Sequence, residues 1–501
     1  MNIRLPFILI YPLFFTLTIT AQTWTQEGSD IDGESAGHRS GRSISLSSDG
    51  STVAIGSWGN DGNGSDAPYV RIYKNISGTW TQVGSDINRE APGDGYSFSC
   101  LISLSSDGSV VAIGAPWNDG NGINAGQVRI YKNISGTWTQ VGSDIDGEAA
   151  YDYLGLSVSL NSDGSTIAIG VPFNGTNPKL AGYVRVYKNI SDNWIQVGSD
   201  IYGEAAGDYS GYSVSLSSDG SIVAIGAVCN DGNGDSSGHV RVYGNISGNW
   251  TQIGSDIDGE AAYDYSGNTV SLSSDGSIVA IGADCNFGND SNSGYVRVYK
   301  NTSGTWTQIG SDINGEEDGD RSGISISLSN DGSIVAIGAH SNDGNGLDAG
   351  HVRIYKNISG TWTQVGSDID GEAVGDGSGY SVSLSSDGSI VAIGARNNDG
   401  NGSNAGHVRV YSWVGTTSVL NILSNVSISL FPNPTSGSVH IQTSPELIGA
   451  GYRVTTNYGS EVLQGEISGF DTQLDLKDFA EGVYFINVGD KLQQSLKVMK
   501  R

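Results

Sequence analysis

The side chains with chemistry to offer recur at a fixed phase along the chain. Glutamates stand at Glu34, Glu90, Glu148, Glu204, Glu260, Glu316 and Glu372; Asp94, Asp152, Asp208, Asp264, Asp320 and Asp376 follow, with His38 taking that place in the first copy. A second acidic series, Asp61, Asp119, Asp231, Asp343 and Asp399, lies in Asn-Asp-Gly-Asn-Gly phrases. Carboxylates alternating with Asn and Gly carbonyls suit a hard cation such as calcium, but the same dipeptides are ordinary turn formers. Paired carboxylates at the centre of a ring are also the acid and base that cleave polysaccharides. Catalytic sites single out a few residues, however, and these acids repeat almost unchanged. The histidines His38, His239, His340, His351, His407 and His440 are scattered; three open the same phrase where other copies have Tyr or Gln, which reads as a tolerant surface position. No nucleophile elbow, phosphate loop or His-Cys metal spacing occurs, so no catalytic residue is expected, and calcium is the only cofactor considered. A recurrent arginine, Arg71, Arg129, Arg185, Arg241, Arg297, Arg353 and Arg409, looks like a ligand ring, but its place points outward to a neighbouring Asp.

What positions these groups is a repeat. Trp occurs at 24, 80, 138, 194, 250, 306 and 362, at intervals of 56 or 58 residues. That period marks an array of identical supersecondary units. One unit from Gly211 contains four alternating stretches: Ser213–Ser217, Ile222–Ala227, His239–Tyr243 and Trp250–Gly254. Each is bounded by turn residues, with Ser-Asp-Gly and Asn-Ile-Ser-Gly reading as hairpins. Four antiparallel strands make one blade of a β-propeller. Val214, Leu216, Val223, Ile225, Val240 and Val242 are assigned to a bulky face, and Ser213, Ser215, Ala224 and Gly226 to a small one, so that blades nest. The mature chain opens with a lone fourth-strand phrase, Thr23–Glu34, whose Trp24–Glu27 would close on the last unit, which stops after its third strand, His407–Tyr411. A linear stack has no use for that split; a seven-bladed ring closed by the first segment does, because closure removes exposed sheet edges. Chain order then brings the long second-to-third and fourth-to-first connections together on one loop-rich face.

Composition limits the partners. The net charge is −28, with 25 basic against 53 acidic residues, which argues against nucleic acid and anionic membranes. Arg4, the apolar run Leu5–Ile19 and then Ala21 have the layout of a signal peptide over residues 1–21, cut between Ala21 and Gln22; the run is too short for a membrane span. Cys100, Cys229 and Cys285 are too few for a disulfide framework, although Cys229 and Cys285 occupy one repeat position and a bridge between them is weighed against buried thiols.

The stretch from Gly-x-Ser-Val-Ser-Leu to Val-Ala-Ile-Gly-Ala, with Gly114, Ala115 and Pro116 keeping a literal Gly-Ala-Pro, resembles the FG-GAP repeat of integrin α-subunit propellers. The resemblance implies a seven-bladed adhesive fold. It also departs: Ser210-Gly211 replaces Phe-Gly, and the family's calcium loop is cut to Ser-Asp-Gly. After residue 415 the repeat ends. Phe431-Pro432-Asn433-Pro434-Thr435 with Gly437, Tyr458–Leu463, Leu474-Asp475-Leu476, Ala480–Ile486 and Lys497-Val498 resemble the type A C-terminal sorting domain of the type IX secretion system of Bacteroidetes. That resemblance implies a small β-sandwich over residues 427–501, read by the secretion machinery, and release or surface attachment of its cargo.

The expectation is therefore an all-β protein: signal peptide 1–21, propeller 22–415, linker 416–426 and sorting domain 427–501. It is secreted or anchored at the outer surface and binds a glycan or protein through the acidic loop-rich face, the near-identical blades offering several equivalent sites. A polysaccharide hydrolase or lyase and a structural surface-layer component are the alternatives.

Overall fold

The computed structural model describes residues 23–58, 69–88, 101–173, 181–285, 292–414, 428–443, 447–456, 460–488 and 494–501. The proposed signal peptide and its cut, the linker 416–426 and Cys100 lie outside the described residues. Residues 21–414 form one unit, and residues 415–501 belong to another.

Seven five-stranded antiparallel sheets make up the first unit. In the fourth, the strands are Ser210–Leu216, Ile222–Ala227, His239–Ile246, Asn249–Gln252 and Ile257–Asp258, in order from the ring centre outward. The fifth strand was not expected. The third strand is eight residues long, and the outer strand pairs only with its far half, Tyr243–Ile246. Its near half still needs partners, and the returning chain supplies them when Ile257 pairs with Val240. The Ser-Asp-Gly hairpin is stapled by Asp219, whose Oδ1 accepts the Ser221 N–H at 2.9 Å. In the Asn-Ile-Ser-Gly hairpin, Asn245 Oδ1 accepts the Gly248 N–H at 2.9 Å, the turn role expected of that phrase.

Which residues share a face needs one correction. Directly paired residues on antiparallel strands point the same way, and Ala224 pairs with Val242 while Ile225 pairs with Arg241. Val240 and Val242 therefore join Ala224 on the small face, and Arg241 and Tyr243 join Val223 and Ile225 on the bulky one. Each small face packs on the next bulky face: Ala224, Val240, Val242 and Ile257 meet Val270, Leu272, Val279 and Ile281 of the fifth blade. Contact is so close that a Cβ on Gly226 would lie 2.1 Å from the Gly267 carbonyl oxygen. The recurrent glycine of Val-Ala-Ile-Gly-Ala is thus a blade–blade requirement.

The ring is closed. Thr23–Gln26 pairs with Tyr411–Val414, and Ile31–Asp32 pairs with His407–Val408, completing the seventh sheet. Hydrogen bonds run unbroken around the circle. At the inner hairpins the backbone N–H groups of Ser48, Ser106, Ser162, Ser218, Ser274, Asn330 and Ser386 each donate to the next of these residues, Ser386 returning to Ser48. Further out, each outer-strand Trp donates its indole N–H to a carbonyl of the preceding blade; Trp24 donates to Val365 at 2.9 Å across the closure, as Trp80 does to Glu27 at 2.7 Å.

The second unit is a β-sandwich. Ile428–Phe431, Ser438–Thr443 and Asp471–Asp475 form a three-stranded sheet, and Gly451–Thr456, Glu461–Glu466, Gly482–Val488 and Gln494–Lys500 a four-stranded one. Val439, Ile441, Val454, Leu474, Ile486 and Val498 from both sheets share one core. Among the described residues no helix is long and apolar enough to cross a membrane.

Candidate functional site

The repeated acids are taken up by the architecture. Glu34, Glu148, Glu204, Glu260, Glu316 and Glu372 each pair with the third-strand arginine of the following blade, for instance Glu148 with Arg185 at 2.7 Å. Asp152, Asp208, Asp264, Asp320 and Asp376 are buried and accept backbone N–H groups of their own connection, as Asp208 does from Ala205 at 2.8 Å. His38 holds the corresponding place in the first copy, between Ser35 Oγ at 2.9 Å and the Tyr69 hydroxyl at 3.2 Å. The residues weighed for calcium close their own loops: Asp119, Asp231, Asp343 and Asp399 accept N–H groups of Asn124, Ser236, Asp348 and Asn404. None of these four belongs to a group of three converging metal-ligating side chains among the described residues. Glu90, Asp94 and Asp61 lie outside the described residues.

Two further expectations change. The third-strand arginines are buried, not outward-facing, because each is enclosed between its blade and the connection before it. The histidines that open this strand, His239, His351 and His407, are 1% exposed, so the position is interior and not a tolerant surface. Burial, then the nearby Arg241, pulls the His239 pKa down to about 4, which keeps the ring neutral at neutral pH. Cys229 and Cys285 are free thiols, each half-buried, so the weighed bridge is not formed.

What distinguishes one blade from another gathers at the ring centre. A cavity of about 580 Å³ runs between the seven inner strands. At its loop-rich end stand residues at or just before the start of the inner strands, among them Arg42, Tyr212, Asn268 and Tyr380, and residues just after the second strands, among them Trp117 and Phe173. These are positions where the repeat varies. On one side Trp117, Tyr153, Phe173 and Tyr209 form a continuous aromatic arc, with successive centroids 6.0, 5.1 and 4.9 Å apart. On the other, Arg39 lies 4.6 Å and Arg42 5.0 Å from the Trp58 ring centroid, while Arg396 lies 3.6 Å and Arg42 5.5 Å from that of Tyr380.

Three guanidinium groups set the electrostatics there. Arg39, Arg42 and Arg396 make no ion pair among the described residues, and the Arg396 Nε is buried without a hydrogen-bond partner. Burial lowers the Arg396 pKa; Tyr380 works the other way, and the charges of Arg42 and Arg39 lower it further. His340, edge-on to Tyr380 at 5.4 Å, is held near a pKa of about 4 by burial and then by Arg396 and Arg321. The chain's acidity does not cancel this patch, since exposed charges beyond ~8 Å are screened at physiological salt. Arginine and aromatic side chains thus gather at the centre of the loop-rich face, where the buried Asp284 also acts on Tyr212. Subtracting the consensus unit from each repeat would have exposed them, because Arg39, Arg42, Trp58, Trp117, Phe173 and Arg396 are all departures from that unit.

Comparison with known proteins bears on two parts of the chain. Residues 429–500 match the family model of the secretion system C-terminal sorting domain. The chain is accordingly exported by type IX secretion to the cell surface or the extracellular space. No curated protein matches it. Among solved structures, it is similar to a putative 6-phosphogluconolactonase from Bacteroides uniformis, with 13% identity, 66% of this chain and 85% of that chain covered and a TM-score of 0.46. It is also similar to U3-55K, with 14% identity, 78% and 98% coverage and a TM-score of 0.46. The C-terminal WD40 domain of Sif2 shares 12% identity, with 79% and 99% covered and a TM-score of 0.47.

Proposed function

We propose that this protein is a surface-displayed binding propeller that takes an acidic glycan at the mouth of its central cavity. The observation that carries the reading is the convergence of Arg39, Arg42 and Arg396, none ion-paired among the described residues, across the cavity mouth from an aromatic arc. Guanidinium groups bind carboxylates and sulfates through paired charge-assisted hydrogen bonds. Sugar rings offer flat apolar faces to aromatic side chains, and the cavity has the volume of a small-molecule pocket. Export brings the mouth into contact with extracellular polysaccharide, and the resemblance of the unit to FG-GAP repeats agrees with a binding role.

The test is calorimetric titration with uronate-bearing, sulfated and neutral oligosaccharides. Acidic ligands are expected to bind, and R42A/R396A to weaken them at least ~10-fold, the loss of one charge-assisted bond at ~1.5–3 kcal/mol. Trp117→Ala is expected to weaken binding, and Glu148→Gln, at an Arg-paired structural position, to leave it unchanged. Equal affinity for neutral sugars, or full affinity in the double variant, overturns the reading. Release of new reducing ends or unsaturated products would replace it with a polysaccharide-degrading enzyme.

A further inference from the structure

The seven blades differ in a second, independent way, at the start of the third strand. Tyr69, Tyr183 and Tyr295 open it in three blades, His239, His351 and His407 in three, and Gln127 in the remaining one. The cross-strand partner changes with it. Tyr69, Tyr183 and Tyr295 face Asn88, Tyr202 and Asn314, whereas His239, His351 and His407 face Asp258, Asp370 and Asp32. A second carboxylate accompanies histidine every time and tyrosine never.

The arginine two residues on follows suit. In the tyrosine blades it is bidentate to the nearby aspartate, as Arg71 is to Asp86 at 2.8 and 2.6 Å. In the histidine blades it withdraws to a backbone carbonyl of the preceding blade, as Arg241 does to Tyr202 at 2.8 Å. Asp256, Asp368 and Asp30 lose their guanidinium and keep only a glutamine amide on one oxygen. The other oxygen faces the imidazole: His239, His351 and His407 Nδ1 lie 3.9, 3.8 and 3.7 Å from Oδ2 of Asp256, Asp368 and Asp30. These are too long for hydrogen bonds. Both nitrogens of His239 are buried without a hydrogen-bond partner. Gln127 shows what a donor does in this place, since its amide reaches Asp144 at 3.0 Å and Asp146 at 3.2 Å.

The geometry points to a divalent transition-metal site in each histidine blade, with zinc as the reference ion, held by the imidazole and by two or more carboxylates. The groups are Asp30, Asp32 and His407; Glu204, His239 and Asp256; and Glu316, His351 and Asp368, each with donor atoms within 4.8 Å of one another. Two ligands bonded to one ion at ~2.0–2.2 Å stand ~3–4 Å apart, the spacing seen between imidazole and carboxylate. A neutral imidazole among carboxylates favours zinc, cobalt or nickel over calcium, which takes oxygen alone. Through Glu204 or Glu316 the ion would tie a connection to the next blade. Nothing in this depends on the glycan reading.

The test is zinc uptake by the chelator-stripped full chain, followed by equilibrium dialysis and by cobalt absorption spectra. Close to three equivalents are expected, with cobalt bands of imidazole–carboxylate coordination. His239→Tyr, His351→Tyr and His407→Tyr copy the natural tyrosine blades, and each is expected to remove about one equivalent; the triple variant removes the cobalt bands. Should a tyrosine variant fail to fold, Asp32→Asn, which copies Asn88 and Asn314 in the His407 blade, is expected to weaken one site at least ~10-fold. Uptake below one equivalent, unchanged uptake in the triple variant, or calcium competing as well as zinc overturns the proposal. His440→Ala, at the exposed pair with Asp471, is expected to leave these three equivalents in place.

Discussion

Replacing Trp24 by alanine tests the closure of the ring. The indole is half-buried; it lies 5.2 Å from Trp413 with the rings tilted by 51°, packs on the core around Leu384 and Val391, and donates to the Val365 carbonyl at 2.9 Å. A Trp side chain buries up to ~200 Å², so half of that at ~25 cal/mol per Å² is worth ~2.5 kcal/mol. The hydrogen bond adds ~1 kcal/mol, giving a cost of ~3.5 kcal/mol for Trp24→Ala. Unfolding entropy is ~2 cal/mol/K per residue, so a unit of the size of residues 21–414 loses ~4 °C of Tm. Scanning calorimetry should show that shift in a single transition, with Trp250→Ala, the same position in the fourth blade, shifted equally. Trp24→Phe, which removes mainly the donor, should lose about a third as much. If Trp24→Ala melts like the wild type while Trp250→Ala does not, the first strand does not complete the seventh sheet, and the ring argument fails.

Gly226→Ala places a Cβ 2.1 Å from the Gly267 carbonyl and should cost ~2 kcal/mol or more by urea titration, whereas Gly248→Ala, on an open hairpin tip, should cost less. The hairpin carboxylates Asp49, Asp107, Asp163, Asp219, Asp275, Asp331 and Asp387 all have pKa values below the ordinary range, because burial opposing ionisation is outweighed by Ser N–H and hydroxyl donors. With the folded value depressed, their contribution is whole above ~pH 4, the unfolded value, and fades as pH falls through the folded one. Asp219→Asn should therefore lower Tm at pH 7 and make much less difference at pH 2.5. Burial, then Asp284, pushes the Cys285 pKa up to about 11, and burial raises that of Cys229, so iodoacetamide at pH 8 should label both far more slowly than in the denatured chain.

The architecture was readable because its determinants repeat. Tryptophan spacing, two hairpin phrases and the split last blade each had one physical solution, and closure followed from the need to cover sheet edges. The fifth strand was not readable, since Ile257–Asp258 has no propensity to announce it; it forms only because the outer strand leaves half of the third strand unpaired. The central arginine and aromatic cluster was not readable for the opposite reason. Repetition drew attention to Glu148 and Asp208, which repeat because every blade needs its ion pair and its capped turn. Arg42 and Arg396 are separated by most of the propeller chain and meet only when the ring closes, so no local pattern joins them. The buried histidines looked superficial because an exposed strand end is the usual reading of a position held by His, Tyr or Gln, and the connection covering it is invisible in a single unit.

The unbroken circle of bonds from Ser48 back to itself has a consequence outside the cell, where chaperones and energy-driven repair are absent. A linear array can unzip from a terminal module, each step costing one boundary. Here no module is terminal, and detaching any one breaks two boundaries at once. A nick by an extracellular protease in one exposed hairpin leaves the severed blade held on both flanks. Persistence then depends on the rate of opening the whole circle rather than on the sturdiness of its least stable member.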